Sequence, residues 1–360
     1  MTALAPAALV CRDLALAYDE DPVVEGFSFS VAAGESVALL GPSGSGKSTI
    51  LSAIAGFIEP ASGEILLRDR LVAGRGRHVP PEQRNVGMVF QHYALWPHIS
   101  ALDTVAYPMR RRGVSTGRAR GEAAALLDRL GLAGLADRRP AQLSGGEQQR
   151  IGLARAMARE PDIYLFDEPT AHLDTPLRAA LQEELAVRRA GTGAAAVTAT
   201  HDVGEALAVA DRVILLRAGR AVQVGTPQDV YERPVDLWGA RLTGPASLIE
   251  ATVIENGADA GGARGARLRI GQREVRVPAF PELPAVGPVT LLLRPDWVSL
   301  DGELSGTLRG AWYRGPHTDY RIETEGGEID LRESGPPRVT IGSPVGWRIE
   351  RAWVLPPSPR

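Results

Sequence analysis

Gly41-Pro42-Ser43-Gly44-Ser45-Gly46-Lys47-Ser48-Thr49 fits the phosphate-binding spacing G-x-x-x-x-G-K-[ST]. Glycines there permit positive φ and let backbone N–H groups close around phosphate oxygens, while the helix that follows turns its positive end toward the same charge. In that chemistry Lys47 reaches the β- and γ-phosphates and Ser48 reaches Mg²⁺. Of the 40 Lys plus Arg residues, Lys47 is the only lysine. In a chain so biased toward arginine, a lone lysine marks a place where a compact ammonium fits and a planar guanidinium does not. Ile163-Tyr164-Leu165-Phe166-Asp167-Glu168 is a second chemical cluster, an apolar run ending in two carboxylates. Asp167 suits the Mg²⁺ water shell, and Glu168 suits orienting or deprotonating an attacking water. Either pattern alone is compatible with plain structure, a glycine turn before a helix or a solvated strand end.

The elements around these residues supply the context the phosphate loop requires. Ser36 to Leu40 is a short apolar run ending at the loop, and Thr49 to Ala55 continues as a helix before Gly56 and Pro60. Ile163 to Phe166, Ala195 to Thr200 and Arg212 to Leu216 read as buried strands. Leu177, Leu181 and Leu185 recur every four residues behind Pro176, which predicts an amphipathic helix over Thr175 to Ala190. Strands alternating with helices predict a mostly parallel sheet, an α/β architecture, for residues 1–237. Past Asp236 the texture changes to period-two segments, Arg267-Leu268-Arg269-Ile270 and Tyr320-Arg321-Ile322-Glu323, punctuated by Gly and Pro. A second, all-β domain is expected over 246–356.

With Leu143-Ser144-Gly145-Gly146-Glu147-Gln148-Gln149-Arg150 added, the chain resembles the ATP-binding-cassette ATPases, because this stretch matches that family's signature sequence. The resemblance implies a P-loop NTPase cassette with a helical subdomain at about 92–158. It also implies Tyr18 as the aromatic stacking on adenine, Gln91 contacting nucleotide and Mg²⁺, Asp174 in the loop after Glu168, and His201 as the γ-phosphate switch. Physically, Tyr18 offers a π-face to a base, although a core tyrosine is an equal reading. Ser144, Gly145 and Gly146 precede a helical run and form an N-terminus able to bind anionic oxygens. In the family that helix end binds the γ-phosphate of ATP held by a second copy, which implies a head-to-tail homodimer. His172 and Trp96 depart from the commoner residues without removing a catalytic group. His78, His98 and His317 lack metal-ligand spacing.

Composition narrows the class. The formal charge is −3, which argues against a nucleic-acid partner. Arg110-Arg111-Arg112 reads as a solvated helix end. Cys11 is the only cysteine, so nothing reflects an oxidising compartment, and it is read as a small buried hydrophobe. No run approaches the ~18 apolar residues that would cross a bilayer, so membrane association is expected through partners, at the cytoplasmic face. A guanine-specific N-K-x-D is impossible with Lys47 as the sole lysine. The β segment after Ala246, with Leu293-Arg294-Pro295-Asp296 and Gly315-Pro316-His317-Thr318-Asp319-Tyr320, resembles the oligomer-fold regulatory domain of importer ATPases. The expected protein is therefore an importer ATPase using ATP and Mg²⁺, partnered by permease subunits and, through them, a solute-binding protein. Ferric iron or a polyamine are the first candidate solutes. A non-transport cassette acting on nucleic acid or ribosomes is the alternative. Tyr93 and Trp96, in an aromatic turn after Gln91, are expected to meet the membrane subunit, the alternative being burial within the helical subdomain.

Overall fold

Alternate side chains of the strand Ile163–Asp167 serve two cores: Ile163 and Leu165 join one, Tyr164 and Phe166 the other. Period-two alternation makes this possible, and a strand buried on both faces must be apolar throughout. A computed structural model describes residues 6–18, 21–90, 95–169, 191–258, 264–278 and 286–356. It divides into two compact units, Met1–Pro227 and Gln228–Arg360.

Among the described residues the first unit holds two sheets and four longer helices. Its strands are β1 (Ala7–Tyr18), β2 (Asp21–Ala32), β3 (Ser36–Leu40), β4 (Ser62–Leu67), β5 (Arg70–Gly74), β6 (Arg77–His78), β7 (Val86–Val89), β8 (Ile163–Asp167), β9 (Ala195–Thr200), β10 (Arg212–Arg217) and β11 (Arg220–Gly225). The longer helices are α1 (Lys47–Ala55), α2 (Ala101–Arg111), α3 (Thr116–Arg129) and α4 (Gly145–Met157). One sheet has the order β2-β1-β4-β5-β6, and its β1–β2, β1–β4, β4–β5 and β5–β6 pairs are antiparallel. The other has the order β11-β10-β3-β9-β8-β7 and is parallel except at the β10–β11 edge. This is the mostly parallel sheet the alternation predicts.

The apolar face of α1 (Ile50, Leu51 and Ile54) packs in one core with β1, β2, β3, β8 and β9. Burying each such side chain stabilises by about 1.5–3 kcal/mol. Arg84, fully buried, ends this helix from outside. Its guanidinium donates to Ala53 O and Ile54 O at 2.7 and 2.8 Å, and to Val79 O and Val72 O at 2.7 and 3.2 Å. Ile54 O, and Ala53 O beside its bond from Gly56 N, thereby gain a cation at the negative end of the dipole. Helices α2, α3 and α4 form the second core with Tyr164 and Phe166.

The second unit's strands are β12 (Ser247–Ala258), β13 (Arg264–Ile270), β14 (Arg273–Pro278), β15 (Gly287–Leu293), β16 (Val298–Tyr313), β17 (His317–Thr324), β18 (Gly327–Ser334), β19 (Pro344–Ile349) and β20 (Trp353–Leu355). They form sheets of order β14-β13-β12-β15-β20 and β18-β17-β16-β19 with antiparallel pairings. Inward positions such as Leu268, Ile270, Tyr320 and Ile322 share one core. The polar–apolar alternation at 267–270 and 320–323 is thus the inside and outside of two strands. Residues 237–243, a helix, belong to this unit through Ala240, which packs with Leu292, Trp297 and Trp353. Buried Arg294 donates to the helix-end carbonyls Ala240 O, Gly244 O and Pro245 O at 2.8–3.0 Å and lies over the Tyr231 ring. Cys11 is buried in the first unit, and burial pushes its thiol pKa up.

Candidate active site

Five parallel strands end on one edge of the sheet, and ligands in open α/β sheets bind beyond such carboxyl ends. After β3 comes the loop Gly41 to Gly46. Its path needs glycine for two reasons. A Cβ at Gly41 would lie 2.3 Å from Leu216 O, and Gly46, the residue before α1, has φ +98°. With Gly46 as cap, α1 starts at Lys47, two residues before the expected Thr49. Thr49 is buried in the helix's first turn.

Lys47 is 5% exposed. Its Nζ donates to Gly41 O at 2.7 Å and Pro42 O at 2.9 Å, so the ammonium is folded against the loop that surrounds it. Burial lowers its pKa, opposed by the charges of Glu168 and Asp167. At the end of β8 the Asp167 Oδ1 accepts from Ser48 Oγ at 2.9 Å. Burial raises the Asp167 pKa. The Ser48 hydrogen bond acts against that rise, Glu168 adds to it, and Lys47 offsets it. Glu168 follows with φ +50°, its N–H donating to Ala199 O at 2.9 Å. That left-handed turn swings its carboxylate away from Asp167, toward the end of β9. There His201 Nδ1 lies 2.8 Å from Glu168 Oε1. The structure therefore brings Lys47, Ser48, Asp167, Glu168 and His201 together, from three different stretches of chain.

Ser144, Gly145 and Gly146 stand at the start of α4. Ser144 Oγ accepts from Glu147 N, and Glu147 Oε2 accepts from Ser144 N at 2.7 Å, a reciprocal cap. Gly145 and Gly146 keep N–H groups that have no intrahelical partner. Among the described residues no hydrogen bond joins them to the Gly41–Thr49 loop of the same chain. Of Tyr18 the structure describes the backbone, at the end of β1. Gln91, Tyr93, His172, Asp174 and the helix expected over Thr175 to Ala190 lie outside the described residues. Trp96 is half-buried, its ring 4.9 Å from Tyr107 and 5.2 Å from the Arg155 guanidinium. It lines a groove of about 640 Å³ together with Phe57, Met88, Phe90, Tyr107 and Arg155. Gln149, which belongs to the signature stretch but has no role assigned from sequence, is fully buried in α4.

Residues 24–171 match the profile described as ABC transporter, and residues 291–355 match the TOBE domain. The Fe(3+) ions import ATP-binding protein FbpC of Brucella abortus is 39% identical over 335 residues, 91% of each chain. The chain belongs to the ABC transporter family. A second relative, the spermidine/putrescine import ATP-binding protein PotA of Frankia alni, is 38% identical over 356 residues, 93% of this chain and 76% of that one. Among solved structures, a dimeric ATP-binding cassette in a post-hydrolysis state with ADP and Pi superposes with TM-score 0.57 and 29% identity. It covers 61% of this chain and 98% of its own. CbiO1 of Clostridium perfringens, part of an ABC transporter complex, gives TM-score 0.55 and 26% identity over 62% of this chain and 90% of its own. With a TOBE domain behind the cassette, this ABC protein is an ATP-hydrolysing import subunit, and the reading as a cassette acting on nucleic acid or ribosomes is not favoured. Among the described residues no helix is long and apolar enough to cross a membrane.

Proposed function

We propose that ATP lies with its phosphates in the Gly41–Thr49 loop and is hydrolysed by attack of a water held by Glu168, with two copies of the chain driving an importer for ferric iron or a polyamine. The observation that carries this is the convergence of Lys47, the Ser48–Asp167 pair and the Glu168–His201 pair beyond the ends of β3, β8 and β9. Lys47 exchanges its loop carbonyls for phosphate oxygens, where a charge-assisted bond is stronger. Glu168 orients the water or takes its proton as the oxygen attacks γ-phosphorus and the bond to ADP breaks. His201, in contact with that carboxylate, is positioned to hold the γ-phosphate. Tyr18 stacks on adenine.

Ser48 and Asp167, two oxygen donors 2.9 Å apart, fit Mg²⁺, which prefers oxygen and takes its other ligands from phosphates and water. Gln91 is a further holder. When bound, the ion neutralises charge on the phosphates. Ser144, Gly145 and Gly146 act on the ATP of the second copy, as do residues around Asp174; the dimeric solved cassette supports that pairing.

Permease subunits dock in the groove between Phe57 and Tyr107, which are 55% and 41% exposed, at the cytoplasmic face of the membrane. Large apolar side chains left in water inside a concavity suit a short helix from a partner. The iron and polyamine relatives support those solutes and, indirectly, a solute-binding protein. Mixing Ser144→Arg chains with Lys47→Ala chains tests the shared site, because one competent site of two should return. A mixture as inactive as either parent at every ratio refutes it. Uptake of labelled ferric iron and of spermidine by cells with and without the chain separates the solutes.

A further inference from the structure

Glu168 carries a backbone that its sequence disfavours twice over. A φ of +50° is uncommon for any residue but glycine, and the residue before a proline is pushed away from compact backbone toward extended conformations. Such a conformation persists only where its surroundings over-determine it. On the N-terminal side the Glu168 N–H is held by Ala199 O. On the C-terminal side the buried Pro169 carbonyl accepts from Gln149 Nε2. Gln149 is completely buried, and its Oε1 has no partner among the described residues. An amide with an orphaned oxygen costs stability that an apolar side chain of the same length would not. The one bond that amide makes among the described residues is to the turn that carries Glu168.

Resting on the reading of Glu168 as the hydrolytic carboxylate, we propose that Gln149 is a positioning residue for it. The amide fixes the Glu168–Pro169 turn, so that the carboxylate stays aimed beside His201. Gln149 also lies in α4, four residues past Gly145, so the same bond ties the signature helix to the hydrolytic turn as one mechanical piece. Displacement of the helix end by a partner's nucleotide therefore reaches Glu168 through Pro169 O.

Gln149→Met keeps length and removes the donor. The expected result is an unfolding midpoint close to wild type, since the orphaned Oε1 and the donor to Pro169 O are lost together, with ATP affinity within twofold and kcat at least tenfold lower. In single turnovers on a Glu168→Gln background, Gln149→Met is expected to bring no further loss, since the carboxylate it positions is already gone. A folded Gln149→Met with kcat within twofold of wild type overturns the proposal, as does an equal loss on both backgrounds. If Gln149→Met does not fold, Gln149→Glu decides: its neutral acid donates to Pro169 O and its carboxylate cannot, so its kcat relative to wild type must fall as pH rises. A pH-independent ratio overturns the proposal. Wild-type turnover in Glu168→Gln alone refutes the underlying assignment of Glu168 instead.

Discussion

The Ser48 hydroxyl donates to Asp167 Oδ1 at 2.9 Å across 119 residues of sequence, joining the first turn of α1 to the end of β8. This pair is two-sided: the proposed chemistry needs a carboxylate where burial favours a neutral group. Burial raises the Asp167 pKa. Between the ordinary aspartate value and the raised one, the folded chain holds a proton that the unfolded chain has lost. Asp167 thus favours folding at low pH, and that contribution is lost as pH rises through the window. Asp167→Asn, neutral throughout, is expected to unfold a few degrees higher at neutral pH in a thermal melt while hydrolysing no ATP. Ser48→Ala should raise the Mg²⁺ concentration for half-maximal ATPase by about tenfold.

Glu168→Gln should retain ATP and lower turnover by about a hundredfold or more, the scale of lost general-base assistance. His201→Ala, which removes the neighbour 2.8 Å from that carboxylate, should also lower kcat with little change in ATP affinity. Lys47→Arg should weaken both binding and turnover, since the planar fork cannot occupy the space between Gly41 O and Pro42 O. Equilibrium nucleotide binding beside steady-state ATPase separates these outcomes.

Phe57→Ser should leave basal ATPase of the isolated chain within twofold of wild type and abolish pull-down with the permease. Its ring is exposed and distant in role from the phosphate loop, so little stability is lost. Trp96→Ala should cost stability as well as assembly, because its ring packs on Tyr107 and under Arg155.

Arg84→Met should destabilise the first unit by about 3 kcal/mol, since it takes the guanidinium donor from buried Ile54 O and Val79 O and leaves Ala53 O and Val72 O only their backbone bonds. Urea unfolding monitored in that unit measures it. Burial pulls the guanidinium pKa down to about 10, which leaves it cationic at neutral pH.

What the chain announces in its sequence are features made within a few residues: glycines before Lys47, apolar strands ending in Asp167-Glu168 or His201, the Ser144 cap, the alternation of β13 and β17. What it conceals depends on distant pairing. The antiparallel sheet of β1, β2, β4, β5 and β6 has no clean period-two signature, because its strands are short or interrupted by bulges such as Cys11/Leu14. Arg84 and Arg294 read as ordinary charges, since nothing local shows that helix-end carbonyls will surround them. The Gln149–Pro169 bond spans 20 residues and joins a helix to a turn, a link no periodicity predicts. Gln228 to Leu237 read as the end of the cassette and Leu237 to Pro245 as the boundary, whereas the second compact unit begins at Gln228, where Trp353 donates to Pro234 O and Arg294 to Ala240 O.

The solitary lysine has one more consequence. The 39 other basic side chains are arginines, so beyond the α-amino group every amine-directed reagent meets the phosphate loop and nothing else on this protein. Acylation of Lys47, shielded at 5% exposure and further covered by any bound phosphate, becomes a direct gauge of nucleotide occupancy. A lysine-specific protease reads the same position as a single cut between Lys47 and Ser48, opened only when the first turn of α1 unwinds. The glycine loop proposed to bind ATP thus carries its own reporter, at the one place where a label and a ligand would compete.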